Sequence, residues 1–391
     1  MQLIVSNAHQ LKASFVMTHL NPLPNEFIIS RYLSQLKKRT CMKLLTNLIL
    51  GLCLAFNLYG QDDKIKELVS QGTELHDQGK YDEAIAKYKM ALNIDKNSTL
   101  ANYELSYTYM AKKNYGDAIK YSKKVIDQDA DNQQGAYIVL GSSLDMNGKP
   151  DNAIKVYEEG LSKFPNSNLL YFNLALTSYN QKDYDKAEKA AINAIIANPR
   201  HASSHVVLSA IMQAKGERVM SLLPAYYFLM LEPNSKRSAI SYNNLLQQLG
   251  QGIERKNGSD INVNIPFSDS HGSLFGAAEM MVSLLAASRF TEENEGKSDM
   301  EYFVETNSGL FSVLGELKGD NGGFWWDLYV SKFYDLVQSD NVEAFSYYIS
   351  QSSNSESVKQ YIASNPDKVK QLKVWMDRVG DANSSGFEAA K

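Results

Sequence analysis

The sequence predicts an all-α protein: a solenoid of about five helical hairpins over residues 61–236, then a separate helical domain over 237–381. Three observations carry this. Ala84, Ala118, Ala153 and Ala187 recur at spacings of 34, 35 and 34 residues. Pro165, Pro199 and Pro233 close successive units at 34-residue spacing, with Lys96 and Ala130 in the equivalent earlier places. After residue 236 the period stops, while helix-length apolar segments continue between Gly, Asn, Ser and Pro signals. A fixed period of this length marks an array whose units bury their apolar faces against their neighbours.

A chain of 391 residues can bury a large core, and two or three structural units are expected of it. With 44% hydrophobic and 21% charged residues, wholesale disorder is not expected. Net charge is −4. Residues 1–60 hold six Lys/Arg and one acid, so the remainder carries 34 bases against 43 acids, a net of −9. A surface of that sign repels phosphate backbones, so neither DNA nor any other nucleic acid is an expected partner.

The N-terminus bears on the compartment. Lys43 precedes the apolar run Leu44–Tyr59, relieved by Thr46, Asn47, Asn57 and Gly51. Sixteen residues is short of the roughly 20 that a membrane span needs. It fits a signal-peptide core, residues 42–60, with Gly60 before Gln61-Asp62-Asp63 as an acceptable cleavage point. Met42-Lys43 already supplies a basic start, so residues 1–41 read as a mis-called upstream extension. The alternatives are an uncleaved anchor or a buried helix. Bulky Leu52 before Cys53 argues against a lipoprotein signal. The expected chain is therefore exported, periplasmic or envelope-associated, without an integral membrane span. Its two cysteines, Cys41 and Cys53, lie in or before the signal, so a mature chain would have no disulfide, thiol catalysis or cysteine-ligated metal.

Each repeat has a recognisable centre. Gly79-Lys80-Tyr81-Asp82-Glu83-Ala84-Ile85 returns as Asn114-Tyr115-Gly116-Asp117-Ala118-Ile119, as Gly148-Lys149-Pro150-Asp151-Asn152-Ala153-Ile154, and as Asp183-Tyr184-Asp185-Lys186-Ala187. Over residues of about 64–234 this pattern resembles the tetratricopeptide repeat family, in which a large-then-small pair on helix A faces an alanine on helix B. The pairs here are Gln71-Gly72, Leu105-Ser106, Leu140-Gly141, Leu174-Ala175 and Leu208-Ser209. The small member lets helix A approach helix B closely, and a proline after helix B ends the unit. The fifth unit departs from the pattern: Arg218 replaces the turn tyrosine, Ser221 the alanine, and Pro224 falls inside helix B. Either that helix begins at Pro224 or it is kinked there. Leu222, Leu223 and Tyr226–Leu231 are too apolar for a solvated cap, so the following domain is expected to cover them.

In that domain helices are expected near 238–250, 271–288, 298–317, 322–338, 341–351, 355–363 and 366–379, before a flexible tail at 382–391. Ile261–Ile265 alternates and reads as one short strand without an obvious partner. The stretch from Gly322 to Tyr334, apolar on nearly every face, reads as the buried centre of a bundle, with a ligand box around Trp325 and Trp326 as the alternative.

Chemistry is scarce, and no metal or cofactor is expected. His201 and His205 are four apart but have no third ligand, and read as a solvated pair. Asp269-Ser270-His271 contains triad residue types, yet Asp269 or Ser270 capping the next helix is the better reading. Gly319-Asp320-Asn321-Gly322-Gly323 lacks the ending of a phosphate loop and reads as a turn and cap.

The resemblance implies a non-catalytic scaffold that binds a protein or peptide through the concave face of the repeats. Its frame gives Val69, Thr73 and His76; Leu100, Tyr103, Tyr107 and Met110; Ile138, Ser142 and Asp145; and Leu169, Phe172, Leu176 and Tyr179. The partner-binding groove is expected at Val69, Tyr103, Tyr107, Met110, Ile138, Phe172, Leu176 and Tyr179, an apolar and aromatic stripe suited to a helix or apolar peptide. Val69, Thr73, Glu104, Gly135 and Val139 stand where relatives that clamp a C-terminal carboxylate carry Lys, Asn and Arg, so that mode is not expected. Two alternatives stay open. The chain's own C-terminal segment, around Trp375, could dock in the groove. An active site in the C-terminal domain could use acids such as Glu279, Asp299, Glu301 or Asp327.

Overall fold

The computed structural model describes residues 60–128, 133–255, 261–264, 275–294 and 296–381, with Ser34, Gln35 and Met42. The rest of the expected upstream extension and signal segment, Asp269-Ser270-His271 and the tail at 382–391 lie outside the described residues. The chain divides into two compact units, Met1–Glu67 and Leu68–Lys391. In the first, residues 60–67 are helical, with Lys66 paired to Asp62 at 2.7 Å.

The second unit is a succession of helices. Residues 68–77 form α1, followed by α2 (Tyr81–Ile94), α3 (Thr99–Ala111), α4 (Tyr115–Asp127), α5 (Gln133–Met146), α6 (Pro150–Lys163), α7 (Asn168–Asn180), α8 (Tyr184–Ala197), α9 (Ala202–Lys215) and α10 (Arg218–Leu231). These are the five hairpins, odd helices being A and even helices B. Their starts are capped locally: Ser98, Asn114, Ser167 and Asp183 accept from the backbone N–H of Ala101, Asp117, Leu170 and Lys186. Pro150 opens α6, where its missing N–H costs nothing. Between A and B the chain turns through one left-handed residue per unit: Gly79, Lys113, Gly148, Lys182 and Gly216, at φ of 75, 63, 74, 61 and 80°.

The small residues of helix A do a job more specific than close helix approach. A Cβ on Gly72 would run into the ring of Tyr88, and one on Gly141 into the ring of Tyr157. Helix B thus seats a tyrosine against the bare backbone of helix A. From the other side Ala84, Ala118, Ala153 and Ala187 are fully buried. In unit five the two serines replace this packing with reciprocal bonds: Ser209 Oγ donates to the Ser221 carbonyl and Ser221 Oγ to that of Ser209, both at 2.9 Å.

Helix α10 begins at Arg218, not at Pro224, so the proline lies inside it and removes the N–H that would reach the Met220 carbonyl. Every residue from Arg218 to Met230 is buried. The helices that cover it are α11 (Lys236–Leu249), α12 (Gly276–Ser288), α13 (Asp299–Lys318), α14 (Ser331–Gln338) and α15 (Val342–Ile349), followed by α16 (Glu356–Ser364) and α17 (Pro366–Asp381). Tyr226 packs edge-on to Phe311 at 5.0 Å, and Phe311 stacks on Phe333 at 4.7 Å. The Tyr226 hydroxyl donates to Asn307 Oδ1 at 2.5 Å, and Asn307 Nδ2 donates to Ser346 Oγ at 2.8 Å. One hydrophobic core runs from Tyr137 to Trp375.

One expectation is corrected. The strand β2 (Ile261–Val263) has a partner: it pairs antiparallel with β1 (Ile253–Arg255), Ile253 opposite Val263. The partner was illegible because Ile-Glu-Arg carries no alternation long enough to signal a strand. Helix α12 starts at Gly276 with Phe275 at its N-cap. Before α14 the backbone widens into a π-helix, Trp325–Val330, within the apolar stretch expected at the bundle centre.

Candidate interaction surface

On the A helices, the groove positions fall into two aromatic groups. In the first, Tyr107 stacks on His76 at 5.1 Å and on Tyr103 at 6.5 Å, and His76 meets Tyr81 edge-on at 5.3 Å. His76 Nδ1 lies 2.8 Å from Thr108 Oγ1, which fixes the ring between α1 and α3. Tyr103 lies over Gly135 of α5; a Cβ there would come within 2.6 Å of its ring. Gly135 therefore seats an aromatic of the preceding repeat, a role that a single glycine at a helix start does not advertise. In the second group Phe172 meets His201 edge-on at 5.1 Å, and Tyr179 lies 5.9 Å from Tyr184.

Exposure sorts the eight expected residues. Tyr107 is 41% exposed; Tyr103, Met110, Ile138, Phe172, Leu176 and Tyr179 are half-buried. Ile138 and Tyr179 also pack against the core. Val69, at 5% exposure, is an interior residue and offers no accessible surface. Polar cross-links join successive A helices beside them: Thr177 Oγ1 donates to Asp145 Oδ2 at 3.0 Å, and Ser142 Oγ to Asn173 Oδ1 at 3.4 Å. Further along, Val206, Ala210 and Gln213 of α9 line a cavity of about 270 Å³ with Ile240 and Asn244 of α11. Ile240 follows Val206 by 34 residues, so the repeat spacing carries into α11 although its sequence shows none of the motif.

The carboxylate-clamp places hold no cation. Val69 and Val139 are buried, and the Glu104 carboxyl is pushed up by burial and then by Asp77. An acid there repels a carboxylate.

Side chains that could have been catalytic have structural partners. Glu279 accepts from Arg218 Nε at 2.8 Å and from the Val219 N–H at 2.6 Å. Arg218 also donates to the carbonyls of Glu279 and Gln251 and to Ser283 Oγ, so the residue that breaks the repeat motif ties α10 to α12. Burial pushes the Glu279 carboxyl up, against its bonds to Val219 and Arg218. Asp299 pairs with Arg289, Glu301 closes a capping box with Ser298, and Asp327 accepts from the Gly323 N–H at 2.7 Å. Among the described residues no three His, Cys, Asp or Glu are grouped to hold a metal ion.

His201 and His205 are not a solvated pair. His205 is fully buried, its Nδ1 2.7 Å from the Tyr329 hydroxyl and its Nε2 2.9 Å from the Pro199 carbonyl. Burial pulls its pKa down to about 3. Trp325 and Trp326 pack inward, Trp326 stacking on Phe275 at 4.8 Å. Trp375 donates from Nε1 to Asp335 of α14 at 2.6 Å, so it is placed in the C-terminal core and not in the groove. Among the described residues no helix is long and apolar enough to cross a membrane.

Stacked A–B hairpins with periodic turns define a helical solenoid of the kind that acts as an interaction scaffold. Residues 72–113 match the family model for the TPR repeat, and residues 100–132 and 138–203 match models for the tetratricopeptide repeat. The solenoid belongs to the tetratricopeptide-repeat family, and this part of the chain is a protein–protein interaction module. Similar solved structures include a thermophilic TPR protein from Thermus thermophilus, with 19% identity, 46% of this chain and 98% of that one covered, and a TM-score of 0.41. PilF of Pseudomonas aeruginosa is 18% identical, over 48% of this chain and 85% of its own, with a TM-score of 0.43. MamA of Desulfovibrio magneticus RS-1 is 20% identical, over 44% and 96%, with a TM-score of 0.38. No curated protein sequence matches the chain.

Proposed function

We propose that the chain is an exported adaptor whose A-helix face binds an apolar or helical segment of a partner protein. Residues 61–236 present the surface, and residues 237–381 close the end of the array. The observation that carries this is the aromatic row at α1 and α3. Tyr107 stays 41% exposed while stacked between His76 and Tyr103. Rigid, half-open aromatics supply contact area at little entropic cost. The acid at Glu104 and the two buried valines favour an apolar segment over a terminal carboxylate.

The test is capture of partners from an envelope extract, followed by titration of the captured protein. Alanine at Tyr103, Tyr107, Phe172 or Tyr179 is expected to weaken binding by on the order of 1–2 kcal/mol each. Unchanged binding with a lowered melting temperature in all four would make them packing residues and end the proposal.

Export rests on Lys43 and the apolar run after it. N-terminal sequencing of the native protein should start at Gln61 or a close neighbour. An intact Met1, or recovery from the cytosol, would remove the compartment from the proposal.

A further inference from the structure

The C-terminal helices enclose a cavity that the scaffold role does not use. It measures about 260 Å³ and lies between α11, α12 and α13, with Gly250 and Ile253 of the hairpin at one side. Its walls are largely apolar: Leu249, Ala286, Met300 and Phe303. One apolar side chain at its lip, Leu246, is 40% exposed. A large apolar group left exposed beside a cavity is a surface that a ligand would cover.

Polar groups converge on the same space. The Thr306 hydroxyl on the wall is buried, at 4% residue exposure, and lies beside the Tyr302 hydroxyl, to which it can donate. The neighbouring Tyr302 hydroxyl gives its hydrogen to the Leu285 carbonyl, and the Tyr242 hydroxyl is hydrogen-bonded to Ser350 Oγ at 3.0 Å. A threonine hydroxyl rotates freely, so that of Thr306 can turn its hydrogen to a ligand oxygen in the cavity. At the mouth, Arg289 lies over the Tyr302 ring, 5.3 Å from its centroid, and donates through Nη2 to Asp299. That ion pair is weakly held, since the side chains are 51% and 85% exposed. A guanidinium has further N–H donors in a fixed fork suited to a second carboxylate.

We propose that this cavity binds a small amphipathic acid, an aliphatic chain of about eight carbons whose carboxylate meets Arg289 at the mouth. Size sets the chain length: a cavity of about 150 Å³ holds benzene, with six heavy atoms, so 260 Å³ suits about ten, the number in octanoate. The chain lies along Leu249, Ala286, Met300 and Phe303, and one polar atom near the head reaches Thr306. The site is independent of the groove on the A helices.

Calorimetric titration of the full chain with sodium octanoate, and separately with 1-octanol, tests it. Octanoate should bind saturably at one site, and more tightly than octanol. Ala286→Phe, which fills the wall, should abolish binding of both with the melting transition retained. If that variant does not fold, Leu246→Trp at the exposed lip should narrow the mouth and weaken both at least fivefold. Arg289→Gln should weaken octanoate about tenfold and leave octanol unchanged, and Thr306→Val should weaken octanoate a few-fold. Non-saturable uptake, or saturable uptake that survives both blocking variants, would overturn the site. Equal loss of octanoate and octanol in Arg289→Gln would overturn the carboxylate assignment.

Discussion

Units two to four and unit five build the same hairpin and put its second helix to opposite uses. In α4 and α6 the buried residues are three each: Ala118, Ser122 and Val125, then Ala153, Tyr157 and Gly160. In α10 thirteen of fourteen residues are buried. The turn between the helices keeps its hand, Gly216 being left-handed like Lys113, Gly148 and Lys182. What changes is the side-chain chemistry. The turn tyrosine gives way to Arg218, the alanine to Ser221, and the solvated face to Leu222, Leu223 and Tyr226–Leu231. A repeat array can therefore end without a polar cap, by handing its last helix to another domain as the core.

Removing the hinge of that handover gives the largest effect. Arg218 is 3% exposed and bonds Glu279, Ser283 and Gln251. Arg218→Ala leaves the Glu279 carboxylate buried without its cation, a loss of about 3–5 kcal/mol by the usual cost of breaking a buried pair. Urea denaturation should show it. Tyr81→Ala, in unit one's corresponding turn place, should cost less. Equal losses would mean that Arg218 is no more than another turn residue.

A second break comes from pH. His205, buried and neutral with its pKa pulled down to about 3, protonates in the unfolded chain near 6.5 and not in the folded one. Its contribution is complete above pH 6.5 and is lost as pH falls toward 3. Between pH 6.5 and 5 the loss is about 2 kcal/mol, taking 1.36 kcal/mol per pH unit. Lys332, pulled down to about 8 by burial and then Arg200, keeps its proton throughout this window. The Glu279 carboxyl, pushed up, works the other way at lower pH. The measurement is therefore the difference between wild type and His205→Gln, which keeps polar contacts and cannot titrate. A pH dependence identical in both would remove His205 from the account.

Within the regular units the tyrosine sockets are the counterpart of that core. Gly141→Ala places a Cβ against the Tyr157 ring, whose hydroxyl is 3.1 Å from Ser142 Oγ and pushed up to about 12 by burial. Overpacking of this kind costs about 1.5 kcal/mol. Ser106→Ala, at the same place in unit two, should be far milder. Calorimetric melting of the two variants checks the contrast.

The regular units were legible because their information is local. Spacing of alanines, prolines and turn residues gave five hairpins, and the helices of the C-terminal region were found to within a few residues at most ends. What stayed hidden depends on long-range packing. The sequence cannot say that His205 will be 2.7 Å from Tyr329, 124 residues away, or that Arg218 will find Glu279. The strand at Ile261–Val263 was visible and its partner was not, because three residues carry too little periodicity. Val69 shared the frame of the groove residues, yet at 5% exposure it lies inside. A frame of positions along a helix gives a face and says nothing of what covers that face.

The smallest effect returns to the turns, where five equivalent residues differ in one respect. Gly79, Gly148 and Gly216 adopt positive φ without penalty, whereas Lys113 and Lys182 hold φ of 63 and 61° with a Cβ in place. A left-handed L-residue costs roughly 1–2 kcal/mol. Glycine relieves this and loses about 0.5–1 kcal/mol through the greater freedom of its unfolded chain. Lys182→Gly should thus stabilise by about 0.5 kcal/mol, read as a raised urea midpoint with unchanged slope. The reverse change, Gly148→Ala, should destabilise by about 1 kcal/mol. Should Lys182→Gly lower the midpoint, the lysine turns are held by contacts of their own, and the five turns are not equivalent.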